Sequence, residues 1–110
     1  MKQREIWVAD LNPTRGSEQK GIRSVVVISG NAMNDNLNIA IVCPISSKVK
    51  GYAGCLLVKS TPENGLPLDS EVITFQVRTI SKERLISKLG TITNEQLAKI
   101  KQGLSEIMTY

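Results

Sequence analysis

The sequence predicts a small, mainly β domain with one C-terminal helix, a barrel-like sheet covered by that helix. Three observations carry this. Short β-branched or apolar runs recur along the chain, each bounded by Gly, Pro, Asn, Asp or Ser. Apolar residues recur at helical spacing most clearly in the last stretch, at Leu97, Ile100, Leu104 and Ile107. The 110 residues contain no linker, internal repeat or low-complexity tract, so residues 1–110 read as one domain.

The first run, EIWVADL, reads as a strand with Ile6, Val8 and Leu11 on one face and Trp7 on the other. Asn12-Pro13 ends it. Ser24–Ser29, SVVVIS, reads as a central strand because apolar β-branched residues fill both faces. The polar stretch from Gly30 to Asn36 leaves room for one helical turn around Ala32 and Met33. Leu37–Ile45 is the next strand; Pro44 has no N–H to give a ladder, which predicts an edge or a bulge. A second polar loop, SSKVKGYA, runs from Ser46 to Ala53, and Gly54–Lys59 is a short strand. Thr61–Leu66, TPENGL, is a surface turn. Ser70–Gln76 reads as a strand in which Val72 and Thr74 oppose Ile73 and Phe75, continued after a kink by Arg78–Ile80. Ser81 caps a short turn through Leu85, and Ser87–Ile92 is the last strand. Thr93 with Gln96 spells a capping box at the start of the helix. Gly103 weakens that helix by about 1 kcal/mol relative to alanine.

Composition narrows the chemistry. The formal charge of +4 and pI of 9.3 permit binding to phosphates. The chain has no histidine, which removes Ser-His-Asp triads, Cys-His pairs, histidine-ligated zinc and the two-histidine ribonuclease solution. Cys43 and Cys55 fall in apolar segments without metal-ligand spacing, as expected of buried reduced thiols. No acidic cluster of the kind that holds magnesium is visible, so no metal or other cofactor is expected. The start, MKQREIW, is not followed by an apolar signal region, and no run reaches the ~20 residues that span a bilayer. The expected location is the cytoplasm.

Between the first two strands lies a loop dense in phosphate-binding groups: Thr14, Arg15, Ser17, Gln19, Lys20 and Arg23. Arg23 falls where the second strand begins, so a rigid element would hold its cation, as phosphodiester chemistry requires. The same residues also fit a solvated hairpin loop in which Arg23 pairs with Glu18 or Asp10. In the second loop Lys48, Lys50 and Tyr52 form a basic-aromatic patch; lysines there would hold a backbone and the ring would stack a base.

The segment DLNPTRGSEQKGIR followed by VVVIS closely resembles the opening of the MazF/PemK family of toxin endoribonucleases. Asp10, Pro13, Gly16, Glu18, Gln19, Gly21 and Arg23 match the family pattern D-x-x-P-x-x-G-x-E-Q-x-G-x-R-P, with Ser24 in place of its final proline. CPISSKVKGY and Q-V-R-T-I, from Gln76 to Ile80, extend the likeness along the chain. The resemblance implies an SH3-like barrel of the MazF/CcdB type, acting as the toxin of a type II toxin–antitoxin system. It implies a homodimer that cleaves single-stranded RNA, mainly mRNA, at a short sequence and is inhibited by a cognate antitoxin with an acidic tail. By the same resemblance Arg23 is catalytic, Ser46 takes the place of a threonine that contacts the scissile phosphate, and Glu18 orients Arg23 or accepts a proton. Ser17, Gln19, Lys20, Ser47, Lys48, Tyr52 and Gln76 are then expected along the RNA. Some PemK-type relatives carry an acid where this chain has Phe75, which here would be core or a stacking surface. Two other readings use the same barrel: a CcdB-like toxin that poisons a topoisomerase without catalysis, and an inert nucleic-acid-binding domain.

Overall fold

The computed structural model describes residues 1–13, 16–18 and 21–109. In these the strands are β1 (Glu5–Asp10), β2 (Ile22–Val27), β3 (Ile39–Ser46), β4 (Leu56–Val58), β5 (Ser70–Val72), β6 (Arg78–Ser81) and β7 (Leu85–Thr91). A one-turn helix, α1 (Asn31–Asn36), follows β2, and α2 (Asn94–Thr109) ends the chain. The strands form one antiparallel sheet in the order β4-β5-β3-β2-β1-β7, with β6 also paired to β3. The ladders leave β4 and β7 as ends and do not close a complete barrel. The expected class, mainly β with a C-terminal helix, is what the chain adopts.

Strand alternation divides the core in two. Ile6, Val26, Ile28, Cys43 and Ile45 pack with Val58, Val72 and Ile92 beneath Leu97 and Ile100 of α2. Ala9, Leu11, Val25, Val27, Val42 and Ile80 make a second cluster with Trp7 and Leu85. Leu11 therefore sides with Trp7, and not with Ile6 and Val8 as expected, because period two keeps residues 7, 9 and 11 on one face.

Pro44 is a second correction. It lies in an interior strand, opposite Val25 of β2. Its carbonyl accepts from Ile73 N–H at 2.9 Å, so its own nitrogen also points away from β2. On that side β6 covers residues 39–42 and β5 covers 45–46, and Pro44 falls between the two partners. The absent N–H thus costs no rung. The run Ser70–Gln76 is likewise not one strand: β5 stops at Val72, and Thr74–Gln76 form a 3-10 turn before β6. The TPENGL turn is not wholly on the surface either. Asn64 is buried, accepting from the Thr61 and Leu66 N–H groups and donating to the Lys59 carbonyl.

The helix start is as expected. Thr93 N–H donates to Gln96 Oε1 at 2.9 Å and Gln96 N–H to Thr93 Oγ1 at 3.0 Å, a reciprocal capping box. Gly103 has a packing reason: α2 crosses the loop before β4 so closely that a Cβ there would sit 2.0 Å from the Gly54 carbonyl oxygen. Both cysteines are free thiols. Burial, with a smaller contribution from Cys55, pushes the Cys43 thiol up to about 12. No helix among the described residues is long and apolar enough to cross a membrane.

Candidate active site

The first loop is drawn closed at its neck. Asn12 Oδ1 accepts from Gly21 N–H at 3.1 Å, and Leu11 N–H donates to the Gly21 carbonyl at 3.0 Å. Arg84, in the 3-10 turn before β7, donates to the carbonyls of Asp10 and Asn12. Gln76 Nε2 donates to the Ser17 carbonyl at 3.1 Å. This bond ties the first loop to the 3-10 turn after β5, residues 59 apart in sequence.

A cavity of about 260 Å³ opens at this junction. Ser17 and Gln76 form one wall, Lys48, Lys50 and Tyr52 of the second loop another, and Ser46, Ile73 and Phe75 complete it. The lining offers hydroxyls, an amide, two ammonium groups and two aromatic rings. Tyr52 and Phe75 meet edge to face, with ring centroids 5.1 Å apart, and each is nearly half exposed. Phe75 is thus not core, because the 3-10 turn carries it out of the strand. The cavity suits an anionic ligand with a planar group to stack.

Ser46 ends β3, largely buried, and its Oγ accepts from Lys48 N–H at 3.1 Å. That leaves its own proton to donate elsewhere. Arg23 lies near the start of β2, where it is exposed and faces Ala9 across the β1 ladder. The β2–β3 register pairs Val25 with Pro44 and Ser24 with Ile45. The ladder ends there, and the next residues, Arg23 and Ser46, lie at the same end of the two strands. Arg23 belongs to the lining of a second cavity of about 200 Å³, with Ser24, Ser47 and Leu68, at the same end of β2 and β3.

Of the expected residues, Ser17, Ser46, Lys48, Tyr52 and Gln76 therefore line the first cavity, and Arg23 and Ser47 line the second. Glu18 is exposed in the first loop, outside both linings. Gln19 and Lys20, like Thr14 and Arg15, lie outside the described residues. Among the described residues no group of three or more His, Cys, Asp or Glu side chains could hold a metal.

Sequence reasoning missed Glu71. It pairs with Ser46 across the β3–β5 ladder, is only 2% exposed, and holds backbone N–H groups of the second loop. The one available signal was a turn glycine, Gly51, between Lys50 and Tyr52.

Comparison with known proteins identifies the family. The family model for the PemK-like, MazF-like toxin of type II toxin-antitoxin systems matches residues 2–108. Endoribonuclease EndoA of Bacillus subtilis is 32% identical over 105 residues, covering 94% of this chain and 90% of EndoA. Endoribonuclease MazF9 of Mycobacterium tuberculosis is 30% identical over 109 residues, covering 94% of this chain and 92% of MazF9. Among solved structures, MazF of Deinococcus radiodurans matches with a TM-score of 0.86 at 21% identity, over 100% of this chain and 97% of that one. A mycobacterial endoribonuclease in complex with its cognate antitoxin matches with a TM-score of 0.80 at 18% identity, over 98% and 94% of the two chains. The structural likenesses establish the fold, and the family model over nearly the whole length, with the curated relatives, establishes the kinship. This chain belongs to the PemK/MazF family of toxins of type II toxin–antitoxin systems.

Proposed function

We propose that this toxin is an endoribonuclease that cleaves single-stranded RNA, chiefly mRNA, at a short sequence and without a metal ion. The ribose 2′-OH attacks the adjacent phosphate, the 5′ oxygen leaves, and the products carry a 2′,3′-cyclic phosphate and a 5′-OH. That step needs a proton taken from the 2′-OH, charge stabilised on the phosphoryl oxygens, and a proton given to the leaving oxygen.

Arg23 is assigned the charge-stabilising role, since a guanidinium fork contacts two phosphate oxygens at once and keeps its proton at neutral pH. Ser46 donates its hydroxyl to the same phosphate. Glu18 orients Arg23 or takes the 2′-OH proton. Ser17, Gln19, Lys20, Ser47, Lys48, Tyr52 and Gln76 hold the flanking nucleotides. The observation that supports this reading is the β2–β3 register, which pairs Ser24 with Ile45 and so leaves the neighbouring Arg23 and Ser46 at the same end of adjacent strands, with a cationic, aromatic cavity beside Ser46.

The toxin works in the cytoplasm as a homodimer. Its cognate antitoxin lays an acidic segment across the same cationic surface and releases the toxin when degraded. The test is direct. The purified protein is incubated with a long single-stranded RNA in EDTA beside an Arg23→Ala control, and new ends are mapped. Cuts at a recurring short sequence with 5′-OH ends, absent from the control while RNA affinity stays within about tenfold, are expected. Intact RNA, or equal cleavage by the control, refutes the assignment.

A further inference from the structure

We infer that Glu71 is a positioning residue for RNA binding: it latches the second loop so that Lys48, Lys50 and Tyr52 stand ready in the cavity wall. This rests on the endoribonuclease reading above.

Glu71 lies in the middle of β5, between Ser46 on β3 and Leu57 on β4. Its carboxyl group is buried, which costs free energy unless both oxygens are satisfied. Oε1 accepts from Lys50 N–H and Oε2 from Tyr52 N–H, each at 3.0 Å. Two amides two residues apart converge on one anionic group only if the chain turns sharply between them. Gly51 supplies that turn with φ +71°, where a side chain would be strained. The three loop residues are themselves exposed, so apolar burial does not hold them. Tyr52 is steadied further by its ring against Phe75 and by its carbonyl accepting from Cys55 N–H. The latch is therefore directed at the loop, and through it at the cationic wall where RNA flanking the cut would lie.

A residue that organises ground-state binding moves KM and leaves kcat, whereas general destabilisation lowers the active fraction and leaves KM. The experiment measures both on a short labelled RNA carrying the mapped cleavage site. Glu71→Gln keeps the size but turns one acceptor into a donor facing an N–H. KM is expected to rise at least fivefold with kcat within twofold. In a Lys48→Gln/Lys50→Gln/Tyr52→Ala background the same change should add less than twofold, because the latch acts through those three side chains. Unchanged KM, or a full independent increment in that triple-variant background, overturns the inference. Where Glu71→Gln fails to fold, Gly51→Ala disturbs the same convergence from an exposed position with nothing within 4 Å of its Cβ. The same rise in KM is expected there, and its absence overturns the inference equally. Amide hydrogen exchange tests the latch apart from activity. The Lys50 and Tyr52 N–H groups should exchange at least tenfold more slowly in the wild type than in Glu71→Gln or Gly51→Ala. A wild type that neither binds nor cuts RNA refutes the endoribonuclease reading and the role in RNA binding with it. Fast exchange at both amides in an active wild type refutes the latch alone.

Discussion

Gly103→Ala tests how tightly α2 grips the loop of the candidate site. The new Cβ would lie 2.0 Å from the Gly54 carbonyl oxygen, and real Cβ contacts essentially never fall below 3.0 Å, so helix and loop must part by about 1 Å. Neither side yields freely. Leu97 and Ile100 anchor the helix in the core, and the Gly54 carbonyl accepts from the buried Thr74 hydroxyl at 2.9 Å. A contact this short falls in the upper part of the overpacking range, about 2–3 kcal/mol, set against a gain of about 1 kcal/mol in helix propensity. The net expectation is a loss of about 1–2 kcal/mol, with Tm falling by about 4–8 °C for each. Thermal melts and urea unfolding followed by Trp7 fluorescence measure it. A variant as stable as the wild type, or more so, would show that propensity dominates and that the close approach of helix and loop is soft.

Three further outcomes are expected. Ser46→Ala should lower kcat by about 10²-fold, as loss of one charge-stabilising donor does, while Ser46→Thr keeps the hydroxyl and the activity; single-turnover cleavage separates the two. Lys48→Gln should reduce the slope of log affinity against log salt by about 0.7 if the lysine contacts one phosphate of a single strand, read by RNA titrations at several salt concentrations. Glu5 supplies a pH dependence. Burial raises its pKa, but hydrogen bonds from Lys88 Nζ, the Lys2 N–H and Trp7 Nε1, with the Lys88 charge, outweigh that and hold the carboxyl below its ordinary 4.5. Its contribution is therefore present above about pH 4.5 and lost as pH falls through the lower folded value. Urea melts across that window should show a flatter acid limb for Glu5→Gln.

Features whose partners lie a few residues away were legible in the sequence. The capping box needs only Thr93 and Gln96, and both bonds form. The helical face through Leu97 and Ile100 follows from spacing alone. Features that depend on distant partners were not. Pro44 reads as an edge because proline removes a donor, yet β3 changes partner just there. Ser70–Gln76 reads as one strand because Val72, Ile73 and Thr74 are β-branched, and nothing local marks the 3-10 turn that exposes Phe75. Glu71 is the deepest miss. Glutamate is rarely buried, and the two amides that justify its burial lie 21 and 19 residues away.

The same geometry separates two kinds of functional residue. Arg23 and Ser46 sit on paired strands, so their relative position is set by the ladder and by the core beneath Val25 and Pro44. Lys48, Lys50 and Tyr52 sit on a loop held by a few hydrogen bonds from Ser46, Glu71 and Cys55. Chemistry at a phosphorus tolerates little displacement of the groups that meet it, and strands provide that stiffness. Recognition of a flexible strand tolerates more, and a loop can be retuned without disturbing the sheet. Substitutions of the strand residues that meet the phosphate should therefore act on kcat, and those on the loop, or at Glu71 that holds it, on KM. Ser46 belongs to both, since it ends a strand and accepts the Lys48 N–H at the start of the loop. Of all these positions it is the one where a single substitution should move kcat and KM together.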